Sequence, residues 1–215
     1  MARLPRAREE LTLRRVPSLA ILGLLILAPA VLEAQEAAAP SRARRVHGYV
    51  EASPRLTRLH GETALLMGGA ALLGFSPRWV FGGAGFALLD ELSLDDASSP
   101  SLEVGYGGIT VEWSPWAVSR AGADTTRYSR NLAFGLLAGA GNAELRDAAL
   151  GTRLGSDNFA VVEPTMRLSV PLATRAAVSV AAAYRLVFSV EDLDGVGADD
   201  LRGPGLGLQV RLGPF

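Results

Sequence analysis

The chain has no cysteine and no lysine; all 21 of its basic residues are arginine. Without cysteine there are no disulfides, no zinc–thiolate or iron–sulfur sites, no thiol nucleophile and no lipoprotein anchor. Only two histidines occur, His47 and His60, so imidazole chemistry is confined to two positions. A net charge of −1 over 215 residues gives no electrostatic case for binding nucleic acid. Beyond the first forty residues there is no uninterrupted apolar run of about 20, which argues against spanning helices. What the chain has in quantity is apolar residues (49%) and glycine, 24 in all. That mixture is unusual for a water-soluble domain and points towards lipid.

The N-terminus reads as an address. Arg3, Arg6, Arg8, Arg14 and Arg15 precede an apolar stretch, Leu19–Ala28, and small residues follow at Ala28-Pro-Ala30 and Leu32-Glu-Ala34. A basic region, a short apolar core and a small-residue exit describe a secretory signal peptide over 1–34, cleaved after Ala34 or, alternatively, Ala30. An uncleaved anchor is the competing reading, but an apolar core of about ten residues falls short of the roughly 20 that a span needs. Removal of 1–34 leaves 16 basic and 19 acidic residues. Residues 35–45, QEAAAPSRARR, are expected to form a disordered leader before a domain over 46–215.

Residues 46–215 alternate with period two. In Ala160–Leu172 one face is Ala160, Val162, Pro164, Met166, Leu168, Val170 and Leu172; the other is Val161, Glu163, Thr165, Arg167 and Ser169. Ala176–Val190 and Leu206–Leu212 separate in the same way, with Val178, Leu186 and Leu208 opposed to Ser179, Arg185 and Gln209. A strand sorts residues like this and a helix scatters them. Five further strands are predicted: Val46–Leu59, Thr63–Phe75, Trp79–Leu89, Leu102–Trp113 and Leu132–Ala143. Pro54 predicts a bulge or break in the first. Gly107-Gly108 predicts a bulge in Leu102–Trp113, where the apolar positions change from even to odd.

Eight is an even number, and antiparallel strands of about ten residues, apolar on one side, suit a closed membrane barrel. A soluble sandwich or lipocalin-like barrel alternates too, with its apolar face inward, so alternation leaves both open. Three patterns favour lipid. Ser76-Pro-Arg78 and Ala173-Thr-Arg175 are tight turns, whereas residues 90–100, 144–158 and 191–204 make longer loops. Two connections depart from that rule, a long Ser114–Arg130 and a short one at His60-Gly-Glu62. Asp90, Glu91, Asp95, Asp96, Glu191, Asp192, Asp194, Asp199 and Asp200 collect at the loop end, and Arg78, Arg120, Arg127, Arg130 and Arg175 at the turn end. Phe75, Trp79, Trp113, Trp116 and Phe215 map to one level, as an interfacial girdle does.

The pattern over about 45–215 resembles the small eight-stranded bacterial outer-membrane barrels, of the type of the outer membrane protein A transmembrane domain. Members of that family commonly end on an aromatic residue that the barrel-assembly machinery reads. The close here, Leu206-Gly-Leu-Gln-Val-Arg-Leu-Gly-Pro-Phe215, is similar, with a register shift at Gly213-Pro214. The resemblance implies an all-β, up-and-down transmembrane barrel in a Gram-negative outer membrane. It also implies lipid, lipopolysaccharide and that machinery as partners.

If apolar residues face lipid, the inward set includes Glu51, Arg55, Glu103, Glu112, Glu163, Arg167, Arg185 and Arg211. Buried charges persist only when paired, so an Arg/Glu network plugging the lumen is expected. Charges solvated at the lumen mouths are the alternative. Catalysis has a thin basis: His60 and Glu62 flank one tip, and Ser53 is far along the strand. Asp192, Asp194 and Asp199 faintly resemble a calcium loop, but the closing glutamate is missing and a solvated acidic loop is the plainer reading. Phe81-Gly-Gly-Ala-Gly-Phe86 lacks a phosphate-loop lysine and a following helix. No cofactor is expected. The expected role is structural or surface-interacting rather than enzymatic, against a lipid-modifying enzyme or a soluble carrier of an apolar ligand.

Overall fold

A computed structural model of the chain describes residues 46–76, 78–89, 92–93, 100–115, 131–147, 150, 152–190, 193 and 195–213. The expected signal peptide and leader lie outside them. The elements in chain order are β1 His47–Leu59, β2 Glu62–Gly74, β3 Trp79–Leu88, β4 Leu92–Ser93, β5 Ser101–Trp113, β6 Asn131–Arg146, β7 Arg153–Ala173, β8 Ala176–Phe188, α1 Ala198–Leu201 and β9 Gly203–Leu212. Every strand pairs antiparallel with its neighbours, β1 pairs with β9, and β3 pairs with β5, so the sheet closes. The short β4 continues the line of β3 along β5, giving a wall of eight strands.

Local chemistry explains the joints. His60 and Gly61, at φ 47° and 80°, make the two-residue turn between β1 and β2, the geometry that matches strand twist and favours glycine second. Ser76 Oγ accepts from the Arg78 and Trp79 amides at 3.3 and 3.1 Å, closing the turn into β3. Closure of so small a barrel demands sharp coiling of the sheet, and glycine permits it. Gly108 and Gly139 are register partners, and a Cβ on either would lie 2.2 Å from Ala138 O or 2.1 Å from Gly107 O.

Alternation runs unbroken through each strand on the β2–β3–β5–β6 side, and this corrects the bulge expected at Gly107-Gly108. The β5 register with both neighbours is continuous through these glycines. Leu102, Val104 and Tyr106 point into the barrel, and Ile109 and Trp113 point out. The apolar residues change sides; the strand does not change phase. At Pro54 the outcome is the expected local break, not a bulge: β1 keeps one register with β2 through Pro54↔Met67, but its pairing with β9 lapses at residues 53 and 54. Its pairing with β9 resumes at Arg55↔Gly207 in the register set by Ala52↔Val210.

The outward face is apolar. Val50, Leu56, Met67, Phe81, Ile109, Leu136, Met166, Leu168, Val180, Leu206, Leu208 and Val210 are all exposed. On β7 this band runs from Ala160 to Leu172, which at about 3.3 Å per residue and a tilt near 40° is about 30 Å tall, the thickness of a bilayer core. Outer residues turn polar beyond it, towards the end that carries the His60–Gly61 turn and α1 (the loop end). Glu103, on this outer face of β5, has a side chain 31% exposed and lies 3.2 Å from Arg146. Its cross-strand partner Glu144 lies 3.0 Å from the same guanidinium. No helix among the described residues is long and apolar enough to cross a membrane.

Candidate functional site: the barrel lumen

Seven of the eight expected lumen charges point inward: Glu51, Arg55, Glu112, Glu163, Arg167, Arg185 and Arg211. The eighth, Glu103, does not; it sits on the outer face with Arg146. The inward groups stack in tiers along the barrel axis.

Nearest the short turns is a square of two acids and two bases from four strands. Arg211 Nη2 donates to Glu51 Oε2 at 2.7 Å and to Glu112 Oε1 at 2.8 Å. Arg167 donates to Glu112 Oε2 at 2.7 Å and to Glu51 Oε2 at 3.4 Å. Glu51 and Arg211 are also register partners where β1 meets β9. With bulk water excluded, each charge relies on two opposite neighbours, which is the condition for tolerating buried ions.

The middle tier centres on Glu163. It pairs with Arg55 and accepts from Tyr106 Oη at 2.7 Å. The Arg55 guanidinium lies 4.0 Å over the Phe86 ring, and Phe86 stacks on Tyr106 at 5.4 Å. Arg185 lies in the same tier, 2% exposed. It donates from Nε to Leu201 O at 2.6 Å and from Nη2 to Arg58 O at 3.2 Å, and it lies 5.4 Å from the Tyr106 ring. It forms no ion pair among the described residues. Glu163 and Arg167, two inward steps apart on β7, do not pair with one another; each reaches across the lumen.

Towards the loop end the lumen is apolar. Leu59, Leu66, Phe86, Leu102, Val104, Leu137, Leu145, Phe159, Val161 and Val187 line it, drawn from seven of the eight wall strands. Leu193, Val196 and Leu201, from the connection between β8 and β9, fill its centre. Sequence reasoning missed this chamber, together with Phe86 and Tyr106. The signal for it was the change of apolar side along β5.

Outside, Phe75, Trp79 and Trp113 belong to one aromatic patch near the short turns. Trp79 and Trp113 are 6.3 Å apart and Trp113 and Phe134 6.2 Å, along one cross-strand row. Phe81 and Phe134 join the patch and were not anticipated; Trp116 and Phe215 lie outside the described residues. At the loop end His60 Nδ1 is 3.2 Å from Asp200 Oδ1, and the His60 amide donates to Asp200 O at 2.7 Å. Ser53 faces the lumen, buried between Glu51 and Arg55. Asp199 is exposed and pairs with Arg202; Asp192 and Asp194 lie outside the described residues.

Neither a protein-family model nor a curated protein sequence matches the chain. Solved structures do. The crystal structure of Neisserial surface protein A matches over 78% of this chain and 96% of its own, at 11% identity and a TM-score of 0.54. Ail, the attachment invasion locus protein of Yersinia pestis, solved with the heparin analogue sucrose octasulfate, matches over 79% and 97% at 12% identity and a TM-score of 0.47. The translocator domain of the autotransporter NalP from Neisseria meningitidis matches over 92% and 97% at 11% identity and a TM-score of 0.27. The likeness to the Neisserial protein is one of fold: this chain is a closed eight-stranded barrel of the outer-membrane type.

Proposed function

We propose that the chain is an integral outer-membrane barrel with a plugged lumen, acting through its structure and its loop-end surface rather than by conduction or catalysis. The observation that carries this reading is the filled lumen. Two ion-paired tiers and an apolar chamber follow one another from the short turns to the loop end. An eight-stranded barrel is just wide enough for side chains to fill, and here they do. The short turns then face the periplasm and the loop end faces outward. Outer-membrane lipid and lipopolysaccharide surround the apolar band, and the assembly machinery reads the β9 end.

Planar-bilayer recording on the folded monomer tests the plug. The expected trace is flat; a large, steady conductance refutes it. Migration on SDS gels with and without boiling checks the fold in the same preparation, because folded outer-membrane barrels resist the detergent until heated. Incubation with lipopolysaccharide should release no fatty acid; acyl release would replace this reading with that of a lipid-modifying enzyme.

A further inference from the structure

Two of the wall's ladders are broken in mid-length, and they flank the same hairpin. Between β9 and β1 pairing runs through Ala52↔Val210, lapses at Ser53 and Pro54, and resumes at Arg55↔Gly207. Between β7 and β8 it runs through Val162↔Leu186, lapses at Glu163 and Pro164, and resumes at Thr165↔Ala183. The ladders β1–β2, β2–β3, β3–β5, β5–β6 and β8–β9 are continuous, and β6–β7 shifts only at its loop-end tip. The cause is proline, which has no N–H to donate. Successive residues of an antiparallel strand bond to opposite neighbours. A Cβ on Gly207 would lie 2.8 Å from Pro54 O, so Pro54 faces β9. The registers carry that alternation round the sheet. Even-numbered residues of β1 and β9 bond across the seam, odd-numbered residues of β8 and β9 bond to one another, and even-numbered residues of β7 and β8 bond across the other flank. Pro54 therefore leaves Leu208 O without its ladder donor; Pro164 does the same to Tyr184 O, and Pro204 to Arg58 O.

Side chains mend only part of this. Arg185 Nη2 donates to Arg58 O at 3.2 Å, and Thr57 Oγ1 donates to Pro204 O at 2.9 Å. At the break beside Pro54, Ser53 Oγ and Gln209 Oε1 are buried with no hydrogen-bond partner among the described residues. Pro164, Tyr184, Pro204 and Arg58 lie on one cross-strand row. Both flanks of the hairpin are thus interrupted at one level, towards the loop-end edge of the apolar band, where the Tyr184 side chain is exposed. From this we infer that β8–β9 is a movable panel: the hairpin parts from the other six strands of the wall as one body, opening the barrel sideways to lipid rather than along its axis. Hydrocarbon offers nothing to replace a ladder bond, so parting starts where bonds are already missing. The ends of both flanks nearest the short turns stay joined, by Glu51–Arg211 at 2.7 Å and Ser169–Ser179 at 2.8 Å. The inference does not depend on whether the lumen conducts.

Residue-resolved amide hydrogen exchange, by NMR on the protein in nanodiscs, tests this within single strands, between neighbours at one depth. Amides that bond across the two flanks are Tyr184 and Leu186 on β8 and Leu206 and Leu208 on β9. They are expected to exchange at least tenfold faster than those that bond inside the hairpin, Ala183 and Arg185 on β8 and Gly205 and Gly207 on β9. Both flanks should be affected, since one motion opens both. Pro54→Ala with Pro164→Ala returns two missing donors and should slow flank exchange at least tenfold while leaving hairpin exchange unchanged. A second variant touches no proline: Val161→Cys with Val187→Cys, register partners on β7 and β8 in a chain with no other cysteine. Its disulfide should slow the β7–β8 flank amides when oxidised and release them when reduced. Equal protection of flank and hairpin amides, fast exchange on one flank alone, or flank exchange that neither the alanines nor the disulfide slows, overturns the inference.

Discussion

Arg211 is the test of how the lumen is held. Its guanidinium is buried, with the side chain 7% exposed, and it bonds both Glu51 and Glu112. Replacing it with methionine keeps much of the volume but leaves two carboxylates sharing Arg167, which lies 2.7 Å from one and 3.4 Å from the other. Removing one member of a buried pair costs about 3–5 kcal/mol, because the orphaned charge stays desolvated. The loss should sit near the upper end, since two acids are deprived at once. Arg146→Met provides the comparison. Its guanidinium also touches two carboxylates, but it is 37% exposed on the outer face, where such pairs contribute about 0–1 kcal/mol. Urea titration of the barrel refolded into vesicles, read by the heat-modifiable gel shift, gives both values. Adding Glu51→Gln to Arg211→Met removes one of the stranded acids and should recover part of the loss, with a coupling energy of about 1–3 kcal/mol. Equal costs for Arg211→Met and Arg146→Met, or no coupling, would mean that water reaches the lower lumen and that the network is not buried as described.

Other perturbations separate the barrel's surfaces. Leu208, 57% exposed on the outer face of β9, should tolerate phenylalanine; arginine there should cost about 2–4 kcal/mol in vesicles but little in detergent, by the same titration. Gly108→Val should abolish the heat-modifiable form altogether, since even a Cβ meets Ala138 O at 2.2 Å. Gly105→Ala, where the Cβ would lie 3.8 Å from its nearest neighbour, should fold normally.

The eight strands were legible because the outer face is uniformly apolar over the whole height of the band. Ala160–Leu172 and Ala176–Phe188 follow this residue by residue. Reading failed where the band ends. Apolar means outward only as far as the top of the band. There the apolar side chains of β5, Leu102, Val104 and Tyr106, pack into the chamber instead. One assumption thus produced two errors, the bulge at Gly107-Gly108 and the inward Glu103. The strand ends differ for the same reason: β6 to Arg146 and β7 from Arg153 continue beyond the apolar band, where alternation no longer sorts apolar from polar. The pairings within the lumen were illegible for another reason. Arg55 and Glu163 are 108 residues apart and Glu51 and Arg211 160, so only the closed sheet chooses between partners.

The seam between β1 and β9 carries a consequence for how the molecule is made. Its two flanks come from opposite extremes of the domain and share the Glu51–Arg211 bond. No partial product of synthesis can therefore complete the ring: until Gly203–Leu212 is available, β1 and β8 each present a bare hydrogen-bonding edge, and Glu51 has lost one of its two cations. The ring therefore cannot close progressively, and its final shape comes into being in the step that brings the last strand to the first.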